Sequence, residues 1–276
     1  MTAIKRLLLW LPYAASTTLT RLVLFTFARW EVYGREHLPA EGPLVLVANH
    51  LDNLDPPLVA ASARPRRVHP MAKRELFEVP LIGWWFWAYG AFPVRRFSSD
   101  MGALRVARNY LRNGEVVLMF PEGTRSRGEG MRAALPGAAM VALLAKAPVV
   151  PVAITGSRVK KPHVFWAGLL RRRPSITVTF GEPFTLDAKV PGADAAEAGT
   201  DRMMRAIAAM LPEDLRGVYG EETNGAVVAA RARDAKRTTP ARDAGALTAT
   251  DTAGADDASR KSPDPDTSVD VDGGAD

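Results

Sequence analysis

The sequence predicts an α/β fold with a mostly parallel (mixed) central sheet flanked by helices, and three observations carry that prediction. Between residues 43 and about 184, six short apolar runs alternate with longer amphipathic stretches. The runs are close to continuously apolar, the pattern of strands buried on both faces by crossover helices. The two loops richest in reactive side chains both follow the carboxyl ends of such runs, where parallel sheets collect functional groups.

Taken in order, the chain opens with MTAIKRLLLWLPYAASTTLTRLVLFTFARW, which is apolar but interrupted by Lys5, Arg6, Arg21 and Arg29. Its longest uncharged run, 7–20, contains Pro12 and falls short of the roughly 20 apolar residues that cross a bilayer. Two short helices lying in the membrane interface over 1–30, with basic groups near the headgroups, fit this pattern. A cleaved signal peptide is the competing reading, weakened by the short apolar region and by the lack of an A-x-A site. Strands are expected at PLVLVAN (43–49), VHPMA (68–72), AFPVRR (91–96), EVVLMF (115–120), PVVPVAI (148–154) and SITVTF (175–180). Helices are expected at 55–63, 76–89, 99–113 and 136–146, and a late one over 201–216 ends near Pro212. After about 221 large apolar side chains almost vanish, so 221–276 is expected to be a disordered acidic tail.

Composition narrows the partners. Cysteine is absent, which excludes disulfides, thiolate metal sites and cysteine nucleophiles. The net charge of +6 is unevenly distributed: 221–276 holds 7 basic and 12 acidic groups, leaving 29 and 18 in 1–220. So basic a body is expected to meet anions, whether nucleic acid, an anionic membrane surface or a phosphorylated substrate. No nucleic-acid-binding signature and no G-x4-G-K-[ST] occurs, which leaves the membrane surface and the phosphorylated substrate. The four histidines lack paired ligand spacing, with His69 a weak exception, so no metal site is expected.

VLVANHLDNLDPPLV (45–59) places His50 at the mouth of a buried strand, with Asp52 and Asp55 close behind. A neutral imidazole is the ordinary side-chain base near neutral pH, and it works best with a carboxylate fixing its tautomer. On one continuous helix, positions five apart diverge by about 140°, so His50 and Asp55 meet only if His50 lies in the loop. Pro56 at the first helical position after an Asp N-cap gives that geometry. The stretch taken alone leaves two readings open: a base with its carboxylate, or a capped helix preceded by a turn histidine. LMFPEGTRSRGEG (118–130) leaves a second strand and presents Thr124, Arg125, Ser126 and Arg127, good phosphate-binding material and also common loop composition. GAFPVRR (90–96) closes a third strand on two arginines.

Together these stretches resemble the glycerolipid acyltransferases typified by the bacterial 1-acyl-sn-glycerol-3-phosphate acyltransferases. NHLDNLDP resembles their H-x4-D signature, GAFPVRR their second block, FPEGTRS (120–126) their third and VPVAI (150–154) their fourth. MAKRELF (71–77) is similar to their lysine-bearing segment. The likeness covers about 40–185 in the right order; AALPGAA (133–139) departs from it, with Leu135 and Pro136 where members often carry a lysine. The resemblance implies an acyltransferase-like domain over 31–220, with His50 as base and Asp55 as its orienting acid. Arg96 and Arg125, with Lys73, would hold an acceptor phosphate, and Glu122, Gly123 and Thr124 would shape that pocket.

The reaction so implied moves a fatty acyl group from acyl-CoA or acyl-carrier protein to the free hydroxyl of lysophosphatidate, giving phosphatidate. It implies no cofactor, no metal and no serine nucleophile, and a location on the cytoplasmic face of the cell membrane, peripheral or monotopic. The alternatives are a relative acting on another lysophospholipid or a glycolipid, a thioesterase, or a membrane-bound lipid-binding protein. PLIGWWFWAYG (80–90), with tryptophans at 84, 85 and 87, is expected as helix core or interface belt before an acyl groove.

Overall fold

The computed structural model of the chain describes residues 3–95, 100–126, 130–158, 173–186 and 193–220. Among the described residues seven strands form one sheet: β1 (Arg29–Tyr33), β2 (Leu44–Ala48), β3 (Val68–Lys73), β4 (Phe92–Val94), β5 (Val116–Met119), β6 (Val149–Thr155) and β7 (Ser175–Phe180). The spatial order is β1-β7-β6-β2-β5-β3-β4, with every neighbouring pair parallel except β6 and β7. The fold is therefore the expected mostly parallel, mixed sheet with helices on both faces.

Alternate residues of β2 show how the two layers are built. Leu44, Leu46 and Ala48 pack with α1 (Ala3–Phe27), α2 (Asp55–Ser62) and α3 (Ile82–Tyr89). Val45 and Val47 pack instead with α4 (Met101–Arg112), α5 (Gly137–Ala145) and α6 (Ala193–Ala209). All five β2 residues are buried, so the strand has no polar face, and its continuous apolar sequence follows from that position. From β2 the chain runs through α2 on one face, whereas from the adjacent β5 it runs through α5 on the other. Neighbouring strands whose connections part to opposite faces define a topological switch point, where a crevice opens at the carboxyl ends.

Three elements differ from expectation. The N-terminal segment is one helix of 25 residues with Pro12 inside it, rather than two short ones. Tyr13, Thr17 and Leu24 fall on one stripe of that helix and are buried against the domain, which offsets the missing hydrogen bond at Pro12. The Tyr13 hydroxyl accepts from the Val68 N–H at 3.0 Å, and Arg21, expected at headgroups, lies over the Trp30 ring with its guanidinium 3.4 Å from the Ala61 carbonyl. Second, the boundary expected at 30/31 falls inside β1, an edge strand pairing with β7 far along the chain. RWEVY alternates exposed and half-buried residues, and that edge pattern is weaker than the apolar runs. Third, the late helix starts at Ala193 and ends at Ala209, before Pro212. The expected tail, 221–276, lies outside the described residues.

Candidate active site

His50 follows β2 directly, Glu122 follows β5, and Ser157 follows β6, three adjacent parallel strands whose carboxyl ends meet at the switch point. Asn49 clamps two of them together. Its amide donates to the Ile154 carbonyl at 2.9 Å and accepts from the Ile154 N–H at 2.8 Å.

His50 is 5% exposed, and its ring stacks on Phe120 with centroids 4.3 Å apart. Nδ1 lies 2.8 Å from Oδ2 of Asp55, which is fully buried. A carboxylate accepts, so Nδ1 carries the hydrogen, and in the neutral ring Nε2 then keeps the lone pair. The Asp55 Oδ2 atom also accepts from the backbone N–H groups of Leu51 at 2.6 Å and Asp52 at 2.8 Å, and Oδ1 accepts from the Ser157 hydroxyl at 2.6 Å. Asp52 makes no such contact; its carboxylate accepts from Leu54 N–H at 3.4 Å.

The capping role expected of Asp55 is not realised. Leu54 occupies the N-cap, and Asp55 is the first residue of α2. An N-cap side chain bonds the N–H two or three positions on. Counted from Asp55, those positions are Pro57, which has no N–H, and Leu58, whose N–H already donates to the Leu54 carbonyl at 3.0 Å. The double proline leaves the carboxylate without a helical donor, so it turns back toward the loop and the imidazole.

Glu122 is 3% exposed, and its two oxygens bridge two backbone groups: Oε1 accepts from His50 N–H at 2.8 Å and Oε2 from Arg132 N–H at 2.9 Å. Burial raises its carboxyl to about 8; the two N–H donors and the Arg132 charge oppose the rise, and the Asp55 charge adds to it. Both oxygens thus face backbone, and Glu122 braces the two loops against each other. Ser126 completes the brace by donating its N–H to the His50 carbonyl at 2.8 Å. Gly123 turns the loop at φ +68°, a conformation that side chains resist.

The remaining expected residues are more scattered. Thr124 and Arg125 are half-exposed on the Glu122 loop, immediately before Ser126. Lys73 ends β3, two strands from β2, and its ammonium lies 3.2 Å from Glu75. Arg96 lies outside the described residues. Among the described residues no group of three His, Asp or Glu side chains is placed to hold a metal ion. His69, the weak metal exception, binds the Gly90 carbonyl at 2.7 Å, stacks on Tyr110, and sits 3.0 Å from Glu115. Sequence reasoning missed Asn49 and Ser157; the only local signal for the latter was a Gly-Ser pair closing an apolar run.

Fold and site together define the class: a doubly wound α/β protein whose reactive side chains sit on loops at a switch point. Residues 29–155, which hold β1 to β6, match the model of the family described as Acyltransferase. It is 31% identical over 165 residues to a 1-acyl-sn-glycerol-3-phosphate acyltransferase of Streptococcus pneumoniae, an alignment covering 57% of this chain and 58% of that protein. A protein of the same name from Bacillus subtilis is 34% identical over 129 residues, covering 46% and 62%. The human 1-acyl-sn-glycerol-3-phosphate acyltransferase alpha is 34% identical over 51% of each chain. The chain thus spans about half to three-fifths of the length of these relatives. The crystal structure of a 1-acyl-sn-glycerophosphate acyltransferase from Thermotoga maritima superposes with a TM-score of 0.55 at 22% identity, over 72% of this chain and 79% of that one, and shares the fold.

Proposed function

We propose that the protein is a 1-acyl-sn-glycerol-3-phosphate acyltransferase, transferring a fatty acyl group from acyl-CoA or acyl-carrier protein to lysophosphatidate. The observation that carries this reading is the 2.8 Å contact between His50 Nδ1 and the buried Asp55 carboxylate at the switch point. With Nδ1 held as donor, Nε2 takes the proton of the acceptor hydroxyl as its oxygen attacks the thioester carbonyl. The tetrahedral intermediate collapses, the C–S bond breaks, and the imidazolium returns its proton to the departing thiolate. Asp55 orients the ring and stabilises the imidazolium while it lasts.

Arg125, with Arg96 and Lys73, is assigned to the acceptor phosphate, and Gly123 and Thr124 to the wall of its pocket. A clamped phosphate delivers the glycerol hydroxyl to one place, which turns binding energy into orientation. Arg125 is the best supported of the three, because the next residue is bonded to His50. Glu122, with both oxygens on backbone, shapes this site from behind.

The membrane is the source of the acceptor. Among the described residues no helix is long and apolar enough to cross a bilayer. The outer face of α1 carries Leu19, Leu22 and Phe25, and the start of α3 carries Leu81 at its N-cap and Trp84 in its first turn, all well exposed. The two helices are joined where Trp85 Nε1 donates to the Ser16 hydroxyl at 3.1 Å. These residues form an apolar, tryptophan-bearing surface suited to the lipid interface, and we assign it to the cytoplasmic leaflet.

Purified protein should release thiol from acyl-CoA only when lysophosphatidate is present, and phosphatidate should form in equal amount. His50→Ala should abolish both while the thermal midpoint stays within a few degrees of the parent. Acceptor-independent release of free fatty acid would overturn the transferase reading, and a fully active His50→Ala protein would remove the base.

A further inference from the structure

Asp55 is bonded through both carboxylate oxygens, and only one of them faces the imidazole. Oδ2 gathers His50 Nδ1 and two backbone N–H groups, all from within five residues. Oδ1 has a different partner, the hydroxyl of Ser157, 102 residues along the chain and 2.6 Å away. Both Ser157 and Asp55 are fully buried. Ser157 lies two residues beyond the stretch that matches the family.

The chain is built to put that hydroxyl there. Asn49 fixes the end of β6 beside the end of β2 through its two bonds to Ile154, three residues before Ser157. Gly156 then turns the strand at φ +73°, and a Cβ on it would stand 1.9 Å from the Ser175 carbonyl oxygen. Only glycine makes that turn, and the turn carries Ser157 inward beneath α2.

We propose that Ser157 is a positioning residue of the His50–Asp55 pair. Its hydroxyl, by donating to Oδ1, fixes the rotation of the carboxylate so that Oδ2 is held toward His50 Nδ1. A carboxylate bonded at Oδ2 alone can still swivel about its Cβ–Cγ bond, and with it the imidazole loses its preferred orientation. The fourth donor, Ser157, closes that freedom from the end of a separate strand. Ser157 takes no part in proton transfer and touches no substrate. It acts through Asp55 alone, so the inference rests on the proposed role of the pair.

The experiment is a double-mutant cycle on the full chain with lysophosphatidate and acyl-CoA, reading kcat and KM separately. A hydrogen bond to a charged group supports an effect of about tenfold or more, so Ser157→Ala should lower kcat about tenfold and leave both KM values within about twofold. Ser157→Thr, which keeps the hydroxyl, should recover most of that loss. In an Asp55→Asn background Ser157→Ala should change the residual kcat by less than about twofold, because the group it holds is gone. An equal tenfold loss in both backgrounds would make Ser157 a packing residue, and no loss in the parent would remove it from the site. If instead Asp55→Asn itself keeps full kcat, it is the role of the pair that fails. Should the threonine variant not fold, the alanine cycle still decides.

Discussion

Replacing Glu122 by glutamine probes how the two site loops are held together. The side chain presents two oxygens to two backbone donors, His50 N–H and Arg132 N–H, at 2.8 and 2.9 Å. A protonated carboxyl keeps a lone pair on each oxygen, so both bonds survive its neutralisation. Glutamine has one oxygen, and its NH2 group must face the second donor. Leaving one buried donor unmet costs about 1–3 kcal/mol at any pH. The parent protein adds a pH-dependent part. Burial pushes the Glu122 carboxyl up to about 8 from an ordinary 4.5, so the folded state holds its proton more tightly than the unfolded state. That contribution is fully present below about 4.5 and is lost as pH rises through about 8. Its full size is on the order of 5 kcal/mol. Unfolding by urea, measured from pH 5 to pH 9 in the two proteins, isolates the difference because every other group is shared. Glu122→Gln should be the less stable protein at pH 5, and the gap should close or reverse by pH 9. A gap that does not change with pH would refute the account of Glu122 as a buried, proton-holding brace.

Three further outcomes follow from the geometry. Asp55→Asn should lower kcat by about three to four orders of magnitude, as loss of the orienting acid does elsewhere, whereas Asp52→Asn should change it only a few-fold. The reverse order would move the partner to Asp52. Arg125→Gln should raise KM for lysophosphatidate about tenfold or more through loss of a charge-assisted bond, with the acyl-CoA KM nearly unchanged; equal effects on both would detach Arg125 from the phosphate. Leu81→Glu with Trp84→Glu should weaken sedimentation with anionic vesicles while a water-soluble short-chain acceptor is still turned over, since these side chains are 83% and 68% exposed and hold no core contact. Undiminished vesicle binding would assign the lipid surface to another face.

The sequence by itself determined the parts of this protein that depend on neighbours in the chain. Apolar-rich runs marked six of the seven strands among the described residues, most plainly β2 and β5, where burial on both faces excludes polar residues. The five-residue reach from His50 to Asp55 was also local, and the double proline that frees the carboxylate from capping stands in the same stretch. What only the tertiary structure decided involves partners that no local pattern names. RWEVY joins the sheet because β7, almost 150 residues later, offers it an edge. The N-terminal segment stays one helix because Tyr13 and Leu24 find the core beneath them. Glu122, expected in an acceptor pocket, has both oxygens on backbone donors, and Ser157 reaches Asp55 across 102 residues. Hydrophobic periodicity reports which way a side chain faces; it carries no information on which distant strand lies beside it. The bonding partner of the Ser157 hydroxyl is set by that adjacency.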